Sequence, residues 1–314
     1  ATVDAYRATM HDPSGVDLML SRWTGDYADP DNFTHAIFHS RTGWLRQYAS
    51  SPELDALAEQ ARTETRPALR DTLYRKFEQT MIESATVVPL FHDADYRLLS
   101  RAVRGLKFGS SAPFVNYGRI GKAAAASTGP LRAPATVLSV ETSVRPKLLS
   151  LDPAGEVSTW MDELLPLVFE PLVRIVDGAR IVPWLASDFA MEEDGRRFRF
   201  TLRDDVRFHD GRAMTARDVR FSFERLLQSG KGSNRTLLQP IRGARDLIEG
   251  RVGDLEGFRI LSQKEFSIEL ERPLAFFPAM LTTPVTSIVP EAASRFTASW
   301  RDGCVGTGPF RVVR

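Results

Sequence analysis

The clearest pattern along the chain is the alternation of basic and apolar side chains over residues 197–203. Successive side chains of a strand point to opposite faces, so Phe198, Phe200 and Leu202 would share one face. We therefore predict a half-buried strand whose arginines face water. Other strands are predicted at 17–20, 87–91, 136–140, 258–261 and 266–270, with a hairpin from 172–176 to 180–182.

A helical spacing of apolar residues marks other parts of the chain. Ser51 is a candidate N-cap, because Pro52 suits the first position of a helix and leucines and alanines follow on one face. A second helix is predicted from about Pro67 to Ser84. Thr215 and Asp218 fit a variant of the capping box ahead of a third helix. Further helices are predicted at about 158–170 and 274–281.

These elements predict a mixed α/β chain without a regular βαβ repeat or a Rossmann pattern. The clearest boundary is KAAAASTGPLRAP at residues 122–134, which is small, contains glycine and proline, and reads as a linker. It divides the chain into a first segment, residues 1–121, and a second segment, residues 135–314.

Composition excludes several classes of protein. Hydrophobic residues make up 43% of the chain and 19 residues are phenylalanine, enough for a folded core. A net charge of +1 lacks the basic excess expected of a nucleic-acid-binding protein. The longest apolar runs are far shorter than the roughly 20 residues of a membrane span. A single cysteine, Cys304, excludes an internal disulfide and a zinc site with several cysteines.

Both ends of the chain are expected to lie inside a longer protein. The sequence begins at Ala1 without the charged and apolar regions of a secretion signal. It stops at Arg314, within a strand-like run. Any targeting signal is therefore expected outside this stretch.

The second segment contains several distinctive motifs, of which the run from Val206 to Phe223 is the most specific. The others are Leu151-Asp152-Pro153, Val168 to Val173, Pro183-Trp184-Leu185-Ala186, Phe198 to Leu202 and Gly306-Thr307-Gly308-Pro309-Phe310. Together they resemble the N-terminal half of the bacterial extracellular solute-binding proteins of family 5. That family comprises the dipeptide-, oligopeptide- and nickel-binding proteins of ABC importers.

The first segment resembles the C-terminal part of the same family, most clearly in the turn-rich run from Trp23 to Phe33. The family order is thus reversed, and its middle portion is missing. The resemblance implies a periplasmic-binding-protein-like clamshell (type II), here incomplete and in permuted order. We expect a junction: the end of one family 5 domain, the linker, and the start of another. The alternative is a circular permutant in which both segments rebuild one domain.

The resemblance also implies a ligand-binding site. The aspartate of the tryptophan-containing turn pairs with the α-ammonium of a peptide in peptide-binding members, and here that residue is Asp26. Trp23 would form the wall of a side-chain pocket, with Thr24 beside it, and Thr159 is a further candidate on a loop that faces the cleft. Asp and Pro also shape turns by themselves, and this explanation is preferred for Asp29 and Asp31.

Three other groups of residues are candidate sites. His35 and His39 are four residues apart and could hold a metal from one helix face, but no third ligand follows at close spacing, so no metal site and no cofactor are predicted. His209-Asp210 resembles a catalytic dyad, yet no activated nucleophile accompanies it. The glycines between 303 and 308 lack the helix that a phosphate-binding loop requires.

The resemblance implies a protein that is not an enzyme and that binds peptides between two lobes for an ABC importer. Its partners would be a peptide or other small solute and the importer's membrane permease, with no nucleic acid. Its place would be the periplasm or the cell surface. The alternative is a ligand-sensing module of a larger regulatory protein with tandem binding domains. A kinase or helix-turn-helix segment in flanking sequence would favour that alternative.

Overall fold

The computed structural model describes residues 16–92, 151–155, 161–176, 180–192, 195–229, 232–291 and 304–312, with shorter stretches and single positions between 9 and 14 and between 96 and 122. The predicted linker lies outside this part except for Lys122, and so does the strand expected at 136–140. Thr159 also lies outside the described residues.

Helices dominate the first segment. After a 3-10 turn at Pro30–Phe33 come α1 (His35–Phe38), α2 (Pro52–Thr63) and α3 (Pro67–Glu83). Ser51 caps α2 as predicted, because its hydroxyl accepts the Leu54 N–H at 3.1 Å. The helices share a small core made of Ile37, Phe38, Ala49, Leu54, Leu57, Ala58 and Phe77.

Two predicted strands of the first segment do not form. Residues 17–20 and 87–91 have no strand structure, and Leu18 and Phe91 are 88% and 79% exposed. Apolar composition suggested strands there, but a strand needs a hydrogen-bonded neighbour, and within the described residues no strand pairs with either run. The structure instead has a short antiparallel pair, β1 (Val103–Arg104) with β2 (Gly121–Lys122).

The second segment mixes helices and strands. Its elements are α4 (Met161–Val168), β3 (Val173–Val176), β4 (Arg180–Pro183), β5 (Ala186–Met191), β6 (Arg197–Leu202), α5 (Ala216–Ser229), α6 (Ala244–Ile248), β7 (Phe258–Ile260), β8 (Glu265–Glu269) and α7 (Phe277–Met280), with 3-10 turns at Gly232–Leu237 and Pro284–Thr286. Strands β3 and β4 form the predicted hairpin. The mixed α/β class is confirmed.

An antiparallel sheet of order β5-β6-β8-β7 forms the centre of the second segment. The alternation predicted for β6 is confirmed, since Phe198, Phe200 and Leu202 are at most 2% exposed. Phe200 lies opposite Phe266 on β8, with ring centroids 5.2 Å apart. Helix α5 covers this face, where Phe223 meets the ring of Phe258 edge-on at 6.1 Å. Stacked aromatic pairs of this kind add to the area that they bury.

Side chains of the two segments meet at several places among the described residues. Tyr27 of the first segment stacks on Phe276 of the second, with centroids 6.2 Å apart and rings 11° from parallel. Glu163 on α4 accepts hydrogen bonds from Arg97 at 2.5 Å and from the Tyr117 hydroxyl at 2.7 Å. The described parts of the two segments are therefore in direct contact. The division into two incomplete domains stays a prediction.

Among the helices that the structure describes, none combines the length and apolarity of a membrane span.

Candidate functional site

The turn from Trp23 to Phe33 is organised by one buried amide, that of Asn32, which is 1% exposed. Its Oδ1 accepts the Trp23 indole N–H at 2.9 Å and the Asp26 backbone N–H at 3.1 Å. Its Nδ2 donates to the Asp26 carboxylate at 3.4 Å. Asn32 thus fixes the position of Trp23, the predicted pocket wall, relative to Asp26, the predicted partner of the ammonium group.

Asp26 lines a water-accessible cavity and remains solvent-exposed, so the surrounding protein desolvates its carboxylate only in part. Burial raises the pKa of Asp26, and the hydrogen bond from Asn32 lowers it only in part. No ion pair joins Asp26 to another described residue. A carboxylate that is partly desolvated and lacks a cation favours a positively charged ligand group.

The cavity lies between the two segments and has a volume of about 930 Å³. That size is at the upper end of the usual range for small-molecule sites. The first segment contributes the turn around Trp23 and parts of α1 and α2, and the second contributes α4 and the residues between 234 and 285. Three predicted site residues line it: Trp23, Thr24 and Asp26.

The neighbouring aspartates have structural contacts, in line with their interpretation as turn residues. Asp29 caps the 3-10 turn by accepting the Asp31 N–H at 2.9 Å, and it pairs with Arg70 at 2.6 and 2.8 Å. Asp31 is 1% exposed and accepts the Tyr27 hydroxyl at 2.8 Å. Its other oxygen lies 3.3 Å from Nε of Arg62. These two carboxylates are therefore occupied, in contrast to Asp26.

The cavity also contains Asp162 on α4, an acidic residue that the sequence motifs do not indicate. Burial raises its pKa to about 7, with further contributions from the negative charges of Asp26 and Glu163. The sequence placed this residue in a helix but carried no signal that α4 would face the turn of the first segment. Both segments thus contribute carboxylates to the cavity, which Asp31, Glu59 and Glu271 also line.

The raised pKa of Asp162 predicts a pH-dependent stability. The folded protein holds a proton on this residue between about pH 4 and pH 7, where the unfolded chain has lost it, so stability falls as the pH rises. The slope is about 1.4 kcal/mol per pH unit for one such group. We expect Asp162→Asn to stabilise the protein at pH 8 and to change little at pH 4, measured by urea unfolding.

The control for this prediction is Asp71→Asn, an exposed carboxylate on α3. It should shift stability by less than about 1 kcal/mol at both pH values. An Asp162→Asn variant whose difference from the parent is the same at pH 4 and pH 8 would show that Asp162 titrates normally.

His35 and His39, whose sequence spacing alone predicts no metal site, have a third partner in the structure. Oε1 of Glu59 on α2 lies 3.2 Å from Nε2 of His35 and 3.3 Å from Nε2 of His39. The hydrogen bond from His35 and the contact with Arg272 hold the pKa of Glu59 at about 2 despite its burial. Burial and the proximity of His35 lower the pKa of His39. All three side chains line the cavity.

His209 contacts the backbone of a distant loop. Its Nδ1 accepts the Gly306 N–H at 3.3 Å and its Nε2 lies 2.8 Å from the Gly308 carbonyl oxygen. A Cβ on Gly306 would lie 1.9 Å from the Val168 carbonyl oxygen, which explains a glycine there. The motif that contains His209 and the motif that contains Gly306 and Gly308 are therefore joined by hydrogen bonds.

A sequence profile described as bacterial extracellular solute-binding proteins, family 5 Middle, matches residues 180–314. The matched residues lie wholly in the second segment, and the resemblance to family 5 that the motifs indicate is confirmed.

Individual relatives cover only part of the chain. A dipeptide-binding protein of Lactococcus lactis is 28% identical over 184 residues, which are 56% of this chain and 31% of the relative. The periplasmic murein peptide-binding protein MppA of Escherichia coli is 32% identical over 132 residues, 41% of this chain and 24% of the relative. The OppA structure from Burkholderia pseudomallei has a TM-score of 0.46 at 26% identity, covering 52% of this chain and 33% of that one. The chain thus spans about a third of the length of the relatives that it matches.

Proposed function

We propose that this chain forms part of the substrate-binding component of an ABC importer and that it binds peptides in the cavity between its two segments. The observation that carries this proposal is the Asp26 carboxylate, which faces the cavity without an ion-pair partner among the described residues. An α-ammonium group would form a short, charge-assisted hydrogen bond with it. The relatives named as dipeptide- and murein peptide-binding proteins support the choice of peptides.

The charges of the cavity support a cationic end of the ligand. Two of its arginines already have carboxylate partners: Arg62 lies against Asp31, and Arg272 pairs with Glu59. Asp162 of the second segment adds a carboxylate within electrostatic reach of Asp26. We propose that Asp26 is the direct partner of the ammonium and that Asp162, when ionised above its pKa of about 7, strengthens the negative potential around it.

The remaining cavity residues have proposed roles that follow from position. Trp23 would contact an apolar ligand side chain through its ring, since its N–H is bound to Asn32. Thr24 and, by family resemblance, Thr159 would contribute polar contacts. Closure of the lobes around the peptide would exclude water, and neither an enzymatic role nor a cofactor is proposed. The periplasm or cell surface is the proposed location.

The test uses peptides with and without a free amino terminus. Titration calorimetry with a tripeptide pool and with the same pool N-acetylated should show binding only for the free amines. Asp26→Asn should weaken binding by about 10- to 100-fold, because a hydrogen bond to a charged group contributes about 1.5–3 kcal/mol. Asp71→Asn, far from the cavity on the exposed face of α3, is the matched control and should bind as the parent does.

Each alternative result has a defined meaning. Equal binding of acetylated peptides would exclude Asp26 as the ammonium partner while leaving a peptide site in place. Absence of binding by both pools would reject the peptide proposal for this chain. Lobe closure predicts in addition that the radius of gyration decreases when the free peptides bind, and an unchanged value would contradict closure.

A further inference from the structure

We propose that His35, His39 and Glu59 form a three-ligand site for a divalent transition-metal ion, with an open coordination position toward the cavity. Zinc in such open sites takes three protein ligands from histidine and carboxylate and leaves the fourth position to water or to a bound molecule. The proposal is independent of the peptide function, because it rests on three side chains that the Asp26 site does not use.

The first argument is distance. With bonds of 2.0–2.2 Å to nitrogen and oxygen, the ligand atoms of a tetrahedral zinc ion lie about 3.3–3.5 Å from one another. The Glu59 oxygen is 3.2 Å from one histidine nitrogen and 3.3 Å from the other. One ligand atom from each of the three residues can be chosen so that all lie within 4.8 Å of one another. A small rotation of the side chains would complete the coordination.

The second argument is that local structure holds the three residues in place. His35 is the first residue of α1 and His39 caps its C-terminus one turn later, where the His39 N–H donates to the His35 carbonyl oxygen at 3.2 Å. The Ser40 N–H donates to Asp55 at 2.9 Å, and Asp55 is one turn before Glu59 on α2. The loop after the histidines is thus fastened to the helix that carries the carboxylate.

The third argument concerns the surroundings of the ligands. Glu59 directs its second oxygen to Arg272, which orients the carboxylate as outer-shell partners do in metal sites. The ring of His39 is 4% exposed, and its Nδ1 accepts the Arg41 N–H at 3.3 Å, with the Thr42 hydroxyl at the same distance. These contacts orient the ring with Nε2 toward Glu59, and Nε2 would release its proton when it binds the ion.

One cation must move to admit the metal. Nη1 of Arg62 lies 2.7 Å from both ring nitrogens of His35. Arg62 has an alternative partner in Asp31, whose oxygen is 3.3 Å from its Nε. We infer that the guanidinium occupies the position next to the histidines in the metal-free protein and shifts toward Asp31 when an ion binds.

The test is a zinc titration of the metal-free full chain by calorimetry, with cobalt as a spectroscopic probe of the same site. We expect one equivalent of zinc per chain and the visible absorption of tetrahedral cobalt. His39→Gln and Glu59→Gln should each weaken zinc binding by at least about 10-fold, the lower end of the effect of losing even an outer-shell partner.

His92→Gln is the matched control, since His92 is exposed and lies outside the cavity. It should bind zinc as the parent does. Circular dichroism melts of the metal-free variants separate a loss of ligands from a loss of fold. The proposal is overturned if the parent binds no zinc, or if folded His39→Gln and Glu59→Gln variants bind it unchanged.

Discussion

Replacing Asp218 with asparagine is expected to lower the free energy of unfolding by about 3–5 kcal/mol, the usual cost of breaking a buried ion pair. Asp218 is fully buried at the start of α5. Its carboxylate accepts hydrogen bonds from Arg212 at 2.7 Å, from the Thr215 N–H at 2.8 Å and from the Glu291 N–H at 2.9 Å. An asparagine amide would turn a donor toward these donors and leave some of them unsatisfied.

The acid sensitivity of this contact has a defined direction. Burial alone would raise the pKa of Asp218, but the hydrogen bonds from Arg212, Glu291 and Thr215 outweigh it and lower the pKa. The stabilisation is therefore present above the pKa of the unfolded chain and is lost as the pH falls through the lowered folded value. The Asp218→Asn effect should be measured by urea unfolding at neutral pH, where the carboxylate is ionised.

Asp205→Asn provides the matched control. Asp205 pairs with Arg203 at 2.6 Å, as short a contact as that of Asp218, but its side chain is 69% exposed. Exposed pairs contribute about 0–1 kcal/mol, so this change should be nearly neutral. Similar effects of the two substitutions would mean that burial does not determine the strength of the Asp218 contacts.

Features that depend on neighbours in sequence were predictable. The strict alternation of β6 follows from the period of a strand, and its three apolar side chains are buried as expected. The caps at Ser51 and Thr215 follow from donors that every helix leaves unpaired at its start. These local rules recovered most helices and strands of the second segment.

Features that depend on distant parts of the chain were not predictable in the same way. Glu59 is 24 residues after His35 and on another helix, so ligand spacing gave no indication of it. Asp162 reaches the cavity only because α4 lies against the first segment. The apolar runs at 17–20 and 87–91 failed as strands for a related reason: composition does not reveal whether a partner strand exists.

The family motifs predicted part of the candidate site, although that site depends on distant parts of the chain. They identified Trp23, Thr24 and Asp26, which do line one cavity, although their role in binding stays a prediction. No pattern in the sequence indicates the buried Asn32, which connects Trp23 and Asp26. Nor does the sequence show why the His209 turn and the Gly306 loop should occur together, whereas their hydrogen bonds supply a reason.

Phe276→Ala is expected to separate the unfolding of the two segments and to cost about 3–5 kcal/mol, the usual range for a buried phenylalanine. Phe276 is 4% exposed and belongs to the second segment, yet its ring is covered by the first. Tyr27 stacks on it, and the Arg70 guanidinium lies 4.9 Å from its centroid. Removing the ring would open a cavity between the segments and leave the sheet core in place.

Phe266→Ala is the control that distinguishes coupling from general loss of stability. Phe266 is fully buried, and its ring contacts are with Phe200 and Phe258 inside the sheet of the second segment. If both segments form one cooperative unit, the parent melts in a single transition. Phe266→Ala then lowers the midpoint temperature of that transition without splitting it in two. Hydrogen exchange in Phe276→Ala should then show α2 and α3 losing protection before β6 does.

The opposite outcome would support the junction predicted from the reversed order of the motifs. In that case the parent already unfolds in two transitions. Phe266→Ala lowers the midpoint of only one of them, and Phe276→Ala does not change how the two are separated. The cavity would then be completed by chain outside this sequence rather than by both segments together. Because Asp26 and Asp162 come from different segments, a single transition is also a condition for the binding site proposed here. The unfolding experiment therefore tests the architecture on which the peptide titration depends, and it does so without requiring a ligand.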